Sequence, residues 1–317
     1  MQALVINKGI HFDGKYPQPL PKPGEAVIKT LLGGICATDI ELLKGYADFN
    51  GVAGHEFVGI VEQADNPALI GKRVVGEINT PCNSCPTCNR GDGNHCPNRL
   101  ALGIRMQNGV FAERFTLSQA NLHLVPDSLS DRQALFTEPL AAALEILSQI
   151  HIGPKDSVAI LGDGKLGLLI AQVLALTGCD LLLIGRHPER LKLLTRQTVK
   201  ACSTDQLPKG YSAKIVVECT GNSRGFAQAR KLVQPRGCLV LKSSYSENCL
   251  VDLSSMVVDE ITLIGSRCGP FAAALRLLES GLIETEPLIE AEFSLNQGVE
   301  AFETAQQKGT MKVLLRC

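Results

Sequence analysis

An excess of charge of either sign is missing from this sequence. Its 31 lysines and arginines stand against 32 aspartates and glutamates, a formal net charge of −1, which removes the electrostatic reason to expect nucleic acid or an anionic membrane as partner. Long apolar runs are missing too. The longest near the middle, residues 166–176, is broken by Gly167 and Gln172 and is too short to cross a bilayer. The first residues, Met-Gln-Ala-Leu-Val-Ile-Asn-Lys, show no basic segment followed by a long apolar one, so a secretory signal is not expected and the cytoplasm is the expected location. There is no tryptophan and aromatics make up only 4% of the chain, which leaves the polarity of any pocket open. No internal repeat or low-complexity stretch is visible.

What is present is a chain built to fold. Over 317 residues, 45% are hydrophobic and 20% charged, enough for about two domains with buried cores. Twelve cysteines are many. Without a secretory signal a disulfide framework explains them poorly, and the clustering of four points to metal.

The first 125 or so residues read as short strands and turns: residues 3–6, 26–30, 57–62 and 72–76 are apolar strands, and the proline-rich run 16–24 is extended. Beyond Pro126 the texture changes. A helix is expected over 131–149, interrupted at Pro139. Strands at 157–161, 180–184, 213–218, 238–242 and 261–264 then alternate with helices at 166–177, 188–196 and 223–232. Fully apolar strands alternating with helices imply a parallel sheet covered on both faces, and the pattern fits the doubly wound six-strand plan that binds nucleotides. The tail reads as helices at 271–280 and 298–307 and a closing strand at 311–315.

Gly162-Asp163-Gly164-Lys165-Leu166-Gly167 follows a strand and opens a helix. That context gives a Gly-x-Gly-x-x-Gly motif its meaning. The first glycine permits a tight turn, the second lets backbone approach a pyrophosphate, and the third lets helix and strand pack closely, with helix N-terminal amides facing the anion. At the end of the second strand, where NAD binding calls for a carboxylate on the ribose 2′-hydroxyl, the sequence reads Ile184-Gly185-Arg186-His187. No acid comes before Glu189. Gly185 would make room for a 2′-phosphate and Arg186 would pair with it, so this turn favours NADP over NAD.

Cys82, Cys85, Cys88 and Cys96 form a compact four-thiolate set on a loop-like segment. Zinc prefers such a closed tetrahedral shell, and the spacing departs from the ferredoxin runs that would hold iron. His95 reads as a loop residue rather than a ligand. A second set is dispersed: Cys36 with Thr38 and Asp39, His55 with Glu56, and Glu138. Singly these have bland readings as a buried cysteine, a core histidine and a helix-surface glutamate. Together they could supply three ligands and leave an open position, as catalytic zinc requires.

These motifs, with Gly34-Ile35-Cys36-x-Thr38-Asp39, Gly54-His55-Glu56, Glu138-Pro139-Leu140-Ala141 and the closing Gly309-x-x-Lys312-Val313, make the chain resemble the zinc-containing medium-chain alcohol/polyol dehydrogenases over essentially its whole length, in their sorbitol, glucose and threonine dehydrogenase-like branch. The resemblance implies an α/β protein with a GroES-like β-rich catalytic domain over 1–138, including a structural-zinc lobe at about 80–100, a doubly wound Rossmann domain over 139–267, and a return to the catalytic domain over 268–317. It implies two zinc ions per chain. Cys36, His55 and Glu138 would ligate the catalytic one, with Glu56 as an alternate. Asp39 would orient His55 and Thr38 would begin a proton relay. Gly162, Gly164, Lys165, Leu166, Gly167, Gly185 and Arg186 would bind the cofactor. The implied reaction interconverts an alcohol or polyol and a carbonyl compound with NAD(P), and the implied assembly is a homodimer or homotetramer.

The sequence departs from the family at Glu41, where many relatives carry histidine, and is short between Cys36 and His55. Substrate identity therefore does not carry over. The rivals are a zinc-free quinone or enoyl reductase and a non-catalytic NADPH-binding or redox-sensing protein on the same scaffold. Zinc content separates them: two ions per chain for the enzyme, one for a non-catalytic scaffold.

Overall fold

A computed structural model describes residues 1–187, 190, 192–193, 199–244 and 248–317. The chain divides into two compact units, Met1–Glu138 with Ala274–Cys317, and Pro139–Ala273.

The first unit is organised on the long strand Glu25–Ile35. It pairs antiparallel with Glu56–Gln63, with Arg114–Ser118 and, from the far end of the chain, with Lys312–Arg316. Arg73–Gly76 and Leu122–Leu124 extend the sheet on one side. Ile289–Ser294 extends it on the other, parallel to the closing strand. Apolar residues line these strands because the sheet is covered: Ala26, Ile28, Leu32, Phe115, Leu117 and Leu314 are buried. Phe111 and Phe302 are both fully buried and meet edge to face at 5.8 Å, tying helix Gly298–Gln306 to the N-terminal part. Each such ring contributes roughly 1.5–3 kcal/mol by burial. A small sheet of Asn79–Thr80, Leu100–Leu102 and Met106–Gln107 brackets the cysteine-rich segment.

The second unit holds a parallel sheet. Among the described residues its strands run in the spatial order Lys200–Ser203, Asp180–Gly185, Ser157–Leu161, Ala213–Glu218, Val233–Leu241, Thr262–Gly265. In chain order this is 3-2-1-4-5-6, the doubly wound arrangement, in which ligands bind where the order reverses. The reversal lies between Ser157–Leu161 and Ala213–Glu218. Helix Lys165–Ala175 is buried from Gly167 through Leu174, which explains its nearly continuous apolar sequence.

Three expectations differ from the structure. Pro139 does not interrupt a helix. Helices span Asp131–Ala134 and Thr137–Gln149, so Pro139 sits in the first turn of the second, where a missing N–H costs no hydrogen bond. The sixth strand, Lys200–Ser203, was not assigned from the sequence; it is a sheet edge, partly exposed, and has no apolar run to mark it. The second unit continues to Ala273, beyond residue 267, because Gly269 packs on helix Thr137–Gln149 so closely that a Cβ would meet the Ala141 carbonyl. Most of the helix expected over 188–196 lies outside the described residues. Among the described residues no helix is long and apolar enough to cross a membrane.

Candidate functional site

In the first unit, Cys36 follows the central strand and caps helix Ala37–Leu43. Asp39, at the third helical position, folds back so that its Oδ2 accepts from the Cys36 N–H at 2.8 Å. Its Oδ1 lies 3.3 Å from His55 Nδ1, though neither atom has a well-aligned hydrogen-bond partner among the described residues. Asp39 is fully buried and His55 nearly so. Burial would lower the His55 pKa, but the close Asp39 carboxylate, with Cys36 beside it, raises it well above the usual imidazole value.

Two glycines make this arrangement possible. Gly54 has φ +94°, and a Cβ there would lie 2.7 Å from the Phe111 ring; the left-handed turn brings His55 in just before the strand Glu56–Gln63 begins. Gly34 pairs across the sheet with Glu56, and a Cβ on it would lie 2.6 Å from Glu56 Oε2. The missing side chain is the space the carboxylate uses. Ligand atoms of Cys36, His55 and Glu56 all fall within 4.8 Å of one another, a donor set of thiolate, imidazole and carboxylate that suits zinc. Among the described residues the buried Glu56 Oε1 has no hydrogen-bond partner, and Oε2 pairs with Lys312, itself buried.

Lys312 is the functional residue that sequence reasoning missed. Burial would depress its pKa, but Glu56, Cys36 and Glu138 raise it, so the ammonium stays charged among acids. The signal was the closing Lys312-Val313 motif, which carried no role. Glu138 opens helix Thr137–Gln149 and is half-buried. It does not join the close donor set, where Glu56 stands instead, yet it is near enough to act on Lys312. Thr38 Oγ1 lies 3.9 Å from Cys36 Sγ. Glu41 pairs with Lys44 at 2.7 Å.

The four cysteines of the lobe converge. Cys85–Cys88 and Cys82–Cys96 sulfurs are 3.5 Å apart, Cys85–Cys96 3.8 Å and Cys82–Cys88 3.9 Å. A tetrahedron with Zn–S bonds of about 2.3 Å has edges of about 3.8 Å, so the sulfurs already fit the ion. The backbone and hydroxyl of Ser84 hold the Cys82 thiol down at about 5, while burial and the neighbouring Cys85 and Cys96 sulfurs push Cys88 up to about 12. Four thiolates this close need a cation to coexist. His95 lies in a single 3-10 turn, Gly93–His95, outside the set.

In the second unit the glycine-rich loop joins Ser157–Leu161 to helix Lys165–Ala175, with Gly164 as its N-cap. Gly162 has φ +125° and sits against the Cys219 carbonyl of the neighbouring strand end; a Cβ on Gly167 would lie 2.0 Å from the Gly162 carbonyl. Loop, helix start and strand end therefore meet at the order reversal. Lys165 and Leu166 are half-buried in the first turn. Arg186 is exposed. Gly185 does not provide the room expected for a 2′-phosphate: a Cβ there would lie 2.4 Å from Asp163 Oδ2, so the Asp163 side chain already fills that space.

Comparison with known proteins agrees with this geometry. Residues 22–127 match the alcohol dehydrogenase GroES-like domain. Sorbitol dehydrogenase of Halalkalibacterium halodurans is 29% identical, the alignment covering 99% of both chains. A Sinorhizobium meliloti protein described as a zinc-binding dehydrogenase, solved bound to NADP, superposes with a TM-score of 0.90 at 26% identity, covering 100% of this chain and 99% of that one. D-arabitol-phosphate dehydrogenase of Enterococcus avium is 30% identical over 92% of this chain and 89% of its own length; with likeness of that degree running through both units, the chain belongs to the zinc-type medium-chain alcohol/polyol dehydrogenase family.

Proposed function

We propose that this protein is a zinc-dependent oxidoreductase that interconverts an alcohol, in particular a polyol, and the corresponding carbonyl compound with NAD(P). The observation that carries the reading is the convergence of Cys36, His55 and Glu56 within 4.8 Å in the first unit. Zinc bound there would supply Lewis-acid polarisation of the substrate oxygen. Cys36 and His55 would hold it together with one carboxylate, Glu56 or Glu138. Asp39, with Oδ1 3.3 Å from His55 Nδ1, would orient the ring, as carboxylates that orient metal-bound imidazoles do. Thr38 Oγ1, beside Cys36, is placed to take the hydroxyl proton. Glu41, tied to Lys44, is a candidate next acceptor.

The cysteine lobe would hold a second, structural zinc, its closed shell leaving no position for chemistry. The glycine-rich loop would hold the dinucleotide pyrophosphate at its helix start. Exposed Arg186 taken alone would favour NADP over NAD, whereas the filled space at Gly185 does not. A homodimer or homotetramer belongs to the same reading: Leu253, Val257 and Val258 on a short helix and Leu263 on the outermost described strand are exposed. A second copy would cover them.

Elemental analysis of purified protein, paired with oxidation of a panel of alcohols and polyols by both cofactors, tests the proposal. Two zinc ions per chain and turnover of at least one polyol are expected. One ion per chain with no turnover would favour the non-catalytic scaffold, and zinc-free protein that leaves the panel untouched but reduces a quinone or enone with NAD(P)H would favour the quinone or enoyl reductase.

A further inference from the structure

The doubly wound fold reads the adenosine ribose with an acid at the end of the second strand. Here that strand, Asp180–Gly185, ends in glycine. Yet a carboxylate stands at the same place. Asp163, from the middle of the glycine-rich loop, directs its side chain at Gly185: a Cβ on Gly185 would lie 2.4 Å from Asp163 Oδ2 and 2.5 Å from its Cγ. The Asp163 carboxyl group thus occupies the volume that a side chain at position 185 would take.

It is held there. Oδ2 accepts from the backbone N–H of Arg186 at 2.8 Å and of His187 at 2.7 Å. Nδ1 of His187 lies 3.1 Å from Oδ2 and 3.2 Å from Oδ1, and Arg190 comes within 4.0 Å of Oδ1. Burial alone would raise this carboxyl, but those hydrogen bonds bring it below the usual carboxylate range, so it is charged at neutral pH. A carboxylate oxygen has two lone-pair directions, and Oδ1 meets only the His187 ring and the more distant Arg190 among its described contacts. It retains capacity to accept a hydroxyl.

We propose that Asp163 supplies, from the glycine-rich loop, the carboxylate that accepts from the adenosine ribose 2′-hydroxyl, and that this chain therefore takes NAD in preference to NADP. The inference rests on the dinucleotide reading of the loop given above, and it reverses the preference that Arg186 alone supports. A 2′-phosphate at this place would bring nearly two negative charges against a fixed carboxylate that is largely removed from water, where repulsion is poorly screened. The Arg186 side chain lies in solvent, where its attraction is weakened by water and salt. Arg190 and His187 already face the Asp163 carboxylate, so the buried like charge outweighs exposed Arg186. The carboxylate's neutral counterpart, an amide, would neither repel the phosphate nor accept as strongly from the hydroxyl.

The test is fluorescence titration of the full chain with NADH and with NADPH, in wild type, Asp163→Asn and Arg186→Leu. Wild type is expected to bind NADH roughly tenfold or more tightly than NADPH, the scale of one hydrogen bond to a charged group. Asp163→Asn should lose roughly tenfold for NADH and gain for NADPH, closing or inverting the ratio. Arg186→Leu should weaken NADPH binding more than NADH binding, widening the ratio further in favour of NADH. Tighter wild-type binding of NADPH would overturn the proposal, whatever the fold of the variants. So would equal weakening of both cofactors in a folded Asp163→Asn protein, which would make Asp163 only a brace for the turn. Binding of neither cofactor by wild type would overturn the dinucleotide reading itself, and this assignment with it.

Discussion

Lys312 and Glu56 pair in a place where neither side chain is exposed. Removing one partner of a buried pair typically costs about 3–5 kcal/mol, because the other charge is left uncompensated. The Lys312→Met variant should therefore unfold at markedly lower temperature when zinc is chelated. The loss should shrink when zinc is restored, since Glu56 then faces a cation again; melting curves with and without zinc check this, and equal losses in both would contradict it. The sequence could not show the pairing, because two residues 256 positions apart give no local signal. It also ranked Glu138 above Glu56 as ligand. Strict alternation would put His55 and Glu56 on opposite faces of a strand. The turn at Gly54 frees His55 from that alternation, and a left-handed glycine is visible only once φ is known.

At the scale of elements, legibility followed apolar contrast. Ser157–Leu161 and Ser223–Leu232 were read at their observed limits because one is continuously buried and the other sharply amphipathic. Helix Ala37–Leu43 and the edge strand Lys200–Ser203 were not assigned, being short and only partly buried. The cysteine lobe was legible as chemistry rather than as structure: spacing alone singled out four cysteines that the fold brings within 3.9 Å of a neighbour. Cys88→Ala should lower bound zinc by about one ion per chain and reduce thermal stability, with unchanged metal content counting against the lobe as a zinc site. In the glycine-rich loop, Gly167→Ala forces a Cβ onto the Gly162 carbonyl. It should cost about 1–3 kcal/mol of stability and weaken NADH and NADPH alike, in contrast to Asp163→Asn, which should move their ratio. Calorimetry and the same titrations decide between these outcomes.

At the scale of the whole molecule, hydrophobic period separates a β-rich part from an alternating part, while the return of the tail to the first part is implied only by the family resemblance. What the sequence could not show is how the closing strand Lys312–Arg316 enters the first sheet beside Glu25–Ile35, and so brings Lys312 to Glu56. The apolar residues left exposed at Leu253, Val257, Val258 and Leu263 bear on assembly. Light scattering should give at least twice the mass of the 34.0 kDa chain, and a glutamate at Val257 or Leu263 should shift that mass towards one chain; a wild-type monomer would contradict the proposed assembly. The most direct test of the central claim is the rate of polyol oxidation by zinc-loaded His55→Ala protein, measured beside its dinucleotide affinity. The account predicts that kcat falls by roughly three orders of magnitude or more, about 4 kcal/mol in the barrier, while NADH and NADPH bind as in wild type. Wild-type turnover by His55→Ala would contradict it.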